Sequence, residues 1–271
     1  MNTQFINNIN PIDYSHSVSN YQYARQSDID LYHAIIQRRD TYPYVYAALQ
    51  CTIDCIARYT IDHIAFSFNG GKDCTVVLHL IRAACAHLNI SISRMLTIYF
   101  HVANEFHEIE QFMYICQSLY KLDFHEVSGN FKSALHDIFV SRDTKQQPLI
   151  TAIFMGQRHN DPYCSNLHII SGSDNTWPAF DRLNVCINWS YQQVWSFLVE
   201  FQLIYCKLYD DGYTSIGNQL DSIPNPALKL SDSIYQPAYK LSDESLERKG
   251  RIERIRDDKT ETNGTVSQVV T

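Results

Sequence analysis

Between Ser67 and Asp73 the chain reads Ser-Phe-Asn-Gly-Gly-Lys-Asp, which sets a hydroxyl, an amide, an ammonium and a carboxylate around two adjacent glycines. Paired glycines let the backbone approach a ligand and turn N–H groups inward. The residues before this loop, Ile64-Ala65-Phe66, lean to strand, and Cys74 to Ile81 has the apolar density of a packed helix. The pattern predicts a strand, a tight glycine turn and a helix start, where the positive end of the helix dipole favours an anion. Phosphate is the natural guest. A plain glycine turn is the simpler alternative, and the coincidence of Ser, Gly-Gly, Lys and Asp at one strand-to-helix junction argues against it.

The loop is not an ordinary P-loop: Phe66 stands where the first glycine belongs, and Asp73 where Ser or Thr follows the lysine. It resembles instead the PP-loop of ATP pyrophosphatases and adenylyl-transferring enzymes, which cut ATP between the α and β phosphates. The residue types suit that chemistry. Backbone amides, Ser67 and Lys72 can hold a departing pyrophosphate, and Asp73 can hold Mg²⁺ against the same oxygens.

The chain that carries this loop has 271 residues, 45% of them hydrophobic, enough for one substantial core. A formal net charge of −7 excludes a broad nucleic-acid surface and attachment to an anionic membrane, so any basic groups used for phosphate must be local. Eight cysteines lie scattered in apolar segments with no CxxC pair, as buried thiols of a reducing compartment do. Cys51 and Cys55 share a helix spacing, but no neighbouring His or Cys completes a zinc site, and core packing is the expected role. The N-terminal residues show neither a basic start nor an apolar signal core, and no run reaches transmembrane length, which predicts a cytoplasmic protein.

Elements must position the loop. From Tyr21 to Tyr59 apolar residues recur at near-helical spacing, broken around Tyr42-Pro43, and predict helices that scaffold the first strand. Arg94 to Phe100 reads as a second strand, Glu105 to Tyr120 as a helix, Asp123 to Val127 as a third strand, Phe131 to Val140 as a helix and Leu149 to Met155 as a central strand. This alternation predicts an α/β fold: a mainly parallel, twisted sheet with helices on both faces, binding ligands beyond the carboxyl ends of its strands. Polar groups gather at three such ends: Ser67 to Asp73, His101 to Glu105, and Gly156 to Pro162. Glu105 and Glu108 read as dipole complements of a first helical turn. His101, His107 and His125 have no metal-ligand spacing.

Beyond residue 156 the pattern is less regular. Trp189 to Phe201 reads as an amphipathic helix, Tyr205 to Gly217 as a turn into a short glycine-ended helix, and Ser222 to Leu228 as a proline corner. In order, SFNGGKD from Ser67, FMGQRHNDP from Phe154, SDNTWPAFDRLN from Ser173, NWSYQQVWSFL from Asn188, YCKLYDDGYTSIG from Tyr205, PNPAL from Pro224, PAYKL from Pro237 and ERKGR from Glu247 resemble the eukaryotic, fungal-type FAD synthetase family. That family is built on the PAPS-reductase-like, adenine nucleotide α-hydrolase (PP-loop) fold. The resemblance runs over most of residues 60 to 254.

It implies an FMN adenylyltransferase that joins FMN to the AMP part of ATP, giving FAD and pyrophosphate with Mg²⁺. On the matched positions, Ser67, Phe68, Asn69, Gly70, Gly71 and Lys72 hold the ATP phosphates, with Asn69 and Asp73 near the reacting α-phosphate and Asp73 on the metal. Asp161 meets the polar edge of the flavin, Trp177 and Arg182 line its site, and Arg248 and Arg251 act in catalysis, reaching back to the phosphates. They are three apart and share a face if helical. Asn160 stands where the family has Thr or Ser before Asp-Pro, and Val185 where a proline often follows; both neighbour proposed flavin contacts. The implied partners are FMN and ATP alone, with no nucleic acid or membrane, and a monomer or weak oligomer.

One domain over 18–254 is expected, with a flavin-binding subregion over about 156–254, between a flexible 1–17 and a disordered 255–271. Two other readings compete. A PAPS reductase-like or other PP-loop enzyme is one, although a reductase needs a C-terminal nucleophilic cysteine and the last here is Cys206 in an apolar setting. A non-catalytic flavin- or nucleotide-binding module is the other.

Overall fold

The computed structural model describes residues 26–252. The expectations for 1–17 and 255–271, and the start of the helical pattern at Tyr21, lie outside the described residues. Helix α1 (Asp28–Gln37) opens on Ser27, whose hydroxyl accepts from the Asp30 amide, and α2 (Pro43–Tyr59) opens on a proline at its first turn. Strand β1 (Ile64–Ser67) leads through the glycine loop into α3 (Lys72–His87). There follow β2 (Leu96–His101), α4 (His107–Tyr120), β3 (Asp123–Ser128), α5 (Phe131–Thr144) and β4 (Ala152–Phe154). Then come β5 (Ile170–Gly172), β6 (Asp181–Leu183) and α6 (Tyr191–Glu200), which starts on a capping box of Ser190 and Gln193. A two-stranded ribbon, β7 (Lys229–Ser231) and β8 (Ile234–Tyr235), lies near the C-terminal end.

Six strands form one sheet in the order β3-β2-β1-β4-β6-β5. All neighbouring pairs are parallel except β5 with β6. Alternation along each strand splits the core in two. Ile64 and Phe66 of β1 with Ala152 and Phe154 of β4 face the larger cluster, built with α1 to α4 and α6, while Ala65 and Ile153 face a smaller one under α5. Helices thus cover both faces, unequally.

The chain order reverses beside β1. Through α3 and α4 it steps outward to β2 and β3; through α5 it crosses the opposite face and returns as β4 on the other side of β1. The carboxyl ends of β1 and β4 therefore diverge at a topological switch point, the place where such sheets leave a crevice.

Three expectations change. Residues 170–183, read as an irregular polar segment, contain the β5–β6 hairpin, because Asp181 to Leu183 completes the sheet against β4 with Leu183 turned into the larger core. Residues 205–217 make a single 3-10 turn at Lys207–Tyr209 rather than a short helix. Glu105 lies before α4, not in its first turn, and its carboxylate accepts the Tyr99 hydroxyl at 2.6 Å.

Gly156 locks the switch point. A Cβ there would overlap the backbone nitrogen and Cα of Cys74, so the end of β4 rests directly on the first turn of α3. Gly156→Ala is expected to cost about 1–3 kcal/mol by forcing these backbones apart. Urea unfolding measures it, and an unchanged midpoint would refute the contact.

Candidate active site

The loop after β1 turns on Gly70, whose φ of +71° is the left-handed region that glycine occupies without strain. A side chain there would press on Ile109 and Met113 of α4. Gly71 caps α3, and its amide donates to Asn69 Oδ1 at 3.0 Å. The next amide, Lys72 N–H, donates to the Tyr209 hydroxyl at 2.7 Å. Thr75 Oγ1 donates to the Gly71 carbonyl at 2.8 Å, tying the loop to the helix it starts. Ser67 ends β1, and Phe68 is buried against Phe66 and Phe112, so its side chain belongs to the core while its backbone shapes the loop.

Beneath the loop lies a buried group of five charges. Lys72 Nζ donates to Asp73 Oδ2 at 2.9 Å and Glu247 Oε1 at 2.5 Å. Arg158, fully buried, sets Nη2 at 2.6 Å from the same Glu247 oxygen and Nε at 2.7 Å from Asp73 Oδ1. The second of these is an ion pair without an aligned hydrogen, since both atoms are buried with no hydrogen-bond partner. Asp161 folds back on its own turn, accepting the Arg158 amide at 2.8 Å, with Arg158 Nη2 at 3.9 Å. The Lys72 ammonium also lies 5.5 Å from the Tyr191 ring centroid.

Burial alone would raise the Asp73 carboxyl, but Arg158 and Lys72 outweigh it and hold it below its ordinary value. Burial likewise opposes the Lys72 charge, and Asp73 and Glu247 more than restore it. Asp161 goes the other way: burial, then the Asp73 charge, push it up to about 6.

The C-terminal segment closes on this group. Glu247 begins a turn, its carbonyl accepting Thr214 Oγ1 at 2.6 Å, and Arg251 pairs with Ser222 as an isolated bridge. Arg248 and Arg251 therefore sit on a turn and an extended residue, not on one helix face. Arg248 Nη1 is 3.5 Å from Ser215 Oγ, and Arg251 Nη2 is 3.4 Å from Asp221 Oδ1, fitted where Gly217 has no side chain. Arg251 Nη1 is buried with no hydrogen-bond partner. Burial, then the charge of Arg248, lower the Arg251 pKa against the pull of Asp221. Tyr209, the acceptor of the loop amide, is close enough to act on that titration too.

Trp177 and Arg182 lie on the α5 face of the sheet. Trp177 packs on Phe131 with ring centroids 5.3 Å apart, and Arg182 is held by Asp174 at 2.7 Å and the Gly172 carbonyl at 3.0 Å. Burial, then the charge of Asp161, raise the Cys164 thiol to about 11, against the pull of Arg182. Asp161 belongs to the cluster under the loop, whereas Trp177 and Arg182 lie on the opposite face of the sheet.

Four residues here went unassigned in the sequence. Arg158 stands in the quoted strand-end segment, and Glu247 opens the ERKGR segment; a buried Lys72 calls for a counter-charge, which was the available signal. Tyr209 and Gly156 act through contacts 137 and 82 residues away in the chain, to Lys72 and Cys74, and had no local signal.

Sheet order and loop define a PP-loop α/β fold. The model of the phosphoadenosine phosphosulfate reductase domain matches residues 63–224. A probable FAD synthase of Schizosaccharomyces pombe is 36% identical over 198 residues, covering 71% of this chain and 73% of that protein. One from Caenorhabditis briggsae is 36% identical over 178 residues, 65% of this chain, and the chain spans about a third (33%) of that relative's length. The crystal structure of yeast FAD synthetase in complex with FAD superposes with a TM-score of 0.72 at 25% identity, covering 85% of this chain and 99% of that one. The chain belongs to the phosphoadenosine phosphosulfate reductase domain family, and within it to the eukaryotic FAD synthases.

The raised Asp161 makes a pH prediction. A group whose folded pKa is raised contributes stability that is fully present below its ordinary 3.8 and lost as pH rises through about 6. Asp161→Asn should therefore gain stability relative to wild type as pH rises from about 4 through 6. Urea unfolding across that range tests it, and a flat difference would mean that Asp161 ionises as an ordinary carboxylate.

Proposed function

We propose that this chain is an FMN adenylyltransferase, joining FMN to the AMP part of ATP to release pyrophosphate and FAD. Family membership and the site's own chemistry support the reading. The observation that carries it is Arg251 Nη1, a buried guanidinium donor with no hydrogen-bond partner, within electrostatic reach of Tyr209, whose hydroxyl accepts the Lys72 amide of the glycine loop. Buried donors are rarely left unpaired, and a phosphate oxygen is an acceptor that a guanidinium suits.

The reaction needs no protein nucleophile, because the FMN phosphate is anionic at neutral pH. Its oxygen forms a bond to the α-phosphorus of ATP while the α–β bridging bond breaks and the electron pair leaves with pyrophosphate. The loop binds the β and γ phosphates at Ser67 and at the Gly70, Gly71 and Lys72 backbone, where phosphate oxygens take over from Asn69 Oδ1 and the Tyr209 hydroxyl as acceptors. Asn69, so released, turns toward the α-phosphate. Arg248 and Arg251 neutralise charge that grows on the leaving group. Asp161 accepts from the polar edge of the isoalloxazine, Trp177 covers its apolar face and Arg182 lies along the same side.

Mg²⁺ is part of this reading. Among the described residues no group of three or more His, Cys, Asp or Glu side chains is arranged to hold a metal alone. The residues fit an ion carried mainly on nucleotide phosphates, with Asp73 as its protein ligand: its carboxylate is buried and kept ionised by Arg158 and Lys72, and its Oδ1, ion-paired with Arg158 Nε at 2.7 Å, accepts no aligned hydrogen bond. When bound, the ion would supply charge neutralisation to the nucleotide phosphates, with Asp73 holding it. A reductase-type thiol mechanism is disfavoured, because burial pushes Cys206 up to about 12 and leaves it protonated. Among the described residues no helix is long and apolar enough to cross a membrane. Eight free thiols support a reducing, cytoplasmic setting. We propose a monomer or weak oligomer working on small molecules alone.

Incubation with ATP, Mg²⁺ and FMN, followed by chromatography, should yield FAD and pyrophosphate in equal amounts. Asp73→Asn should lower kcat on the order of 100-fold with the circular dichroism spectrum intact. No FAD from the wild type would sink the function, and full turnover by the folded variant would sink the role of Asp73.

A further inference from the structure

Glu247 makes no contact that the reaction just described uses, yet it is where the C-terminal segment meets the loop. Its single oxygen Oε1 receives the Lys72 ammonium at 2.5 Å and the Arg158 guanidinium at 2.6 Å. These cations come from the first turn of α3 and the end of β4, the two sides of the switch point. The backbone of Glu247 is fixed as well. Thr214 Oγ1 donates to its carbonyl at 2.6 Å and itself receives Asn225 Nδ2 at 2.8 Å; Nδ2 also donates to the Leu246 carbonyl at 2.8 Å. The next residue is Arg248, and Arg251 follows three positions later, its amide closing a turn on the Arg248 carbonyl at 2.9 Å.

We infer that Glu247 is a positioning residue, an ionic anchor through which α3 and the turn after β4 set where Arg248 and Arg251 stand relative to the glycine loop. The inference rests on the proposed adenylyl transfer. Contacts with Asp221, Ser222, Ile223 and Asn225 hold the turn on one side, and on the other it is tied through Glu247 alone among the five buried charges, the remaining four sitting on α3 and the turn after β4. A neutral side chain of the same shape would keep a weak acceptor but lose the charge that draws both cations to one point. The arginines would then stand in a spread of positions, and a displacement of about 1 Å is enough to lower a rate on the order of 100-fold.

The test compares wild type, Glu247→Gln, Lys72→Met and the double variant Lys72→Met/Glu247→Gln, with kcat expressed per folded molecule. Glu247→Gln should lose about 100-fold in kcat while the KM for FMN changes far less, because two of the three proposed flavin residues, Trp177 and Arg182, lie on the other face of the sheet. A residue that merely held the fold would instead lower the folded fraction and the Tm and leave kcat per folded molecule unchanged. In the double variant a cation and an anion leave together, so the buried charge balance is kept, and its kcat should match that of Lys72→Met within about threefold. That match supports the inference even where Glu247→Gln alone fails to fold. Wild-type kcat in folded Glu247→Gln, or losses that multiply in the double variant, would overturn it. So would failure of both Glu247 variants to fold, which would make Glu247 a residue of the fold. Wild type that forms no FAD removes the function itself, a result separate from any of these.

Discussion

Two cations and three carboxylates are held out of water under the glycine loop, and the arrangement of the surrounding chain follows from the need to keep them paired. Removing each ion from water costs on the order of several kcal/mol, so none of the five is tolerable unless its partners arrive in register. Lys72 and Asp73 are adjacent and start α3, Arg158 and Asp161 share one turn after β4, and Glu247 arrives from far along the chain. Gly156 lets the first two segments meet backbone to backbone. The hairpin β5–β6, α6 and the turns that follow carry the chain back to deliver the fifth charge.

This constraint explains which features could be read from the sequence. β1, β2, α4 and β4 were visible because burial on one or both faces writes a period into their residues, and the loop was visible because glycines, a lysine and an aspartate adjoin it. β5 and β6 are three residues each, and Asp181 and Arg182 look like surface residues; only pairing with β4 makes them a strand. Asp181 is satisfied at long range, by the Tyr59 hydroxyl at 2.6 Å, whereas Arg182 pairs locally with Asp174. A window of local sequence contains neither the Tyr59 contact nor the pairing with β4.

The candidate site was legible to a similar depth. Residue types near the loop announced phosphate chemistry, and the order of later segments carried the family resemblance that proposes roles for Asp161, Trp177, Arg182, Arg248 and Arg251. What sequence did not contain was direction. Lys72 reads as a group offered to phosphate, whereas its ammonium is turned inward to Glu247 and Asp73, and only its backbone amide lies on the loop. On the proposed reading the side chain would act on phosphates through the field it helps to set and the backbone it fixes, since its ammonium is already paired with Asp73 and Glu247.

The balance of charge across the site then has a direction of its own. With every group ionised the buried cluster holds two positive and three negative charges, counting Lys72 and Arg158 against Asp73, Asp161 and Glu247. Asp161 holds its proton up to about pH 6, first because it is buried and then because of the neighbouring Asp73 charge. Arg248 and Arg251 are close enough for the charge of Arg248 to lower the Arg251 pKa, with Asp221 as the carboxylate that offsets it. On the proposed reading, this distribution would suit a polyphosphate and a divalent cation arriving together, since the carboxylates of the cluster would repel the polyphosphate alone and the two arginines would repel the cation alone.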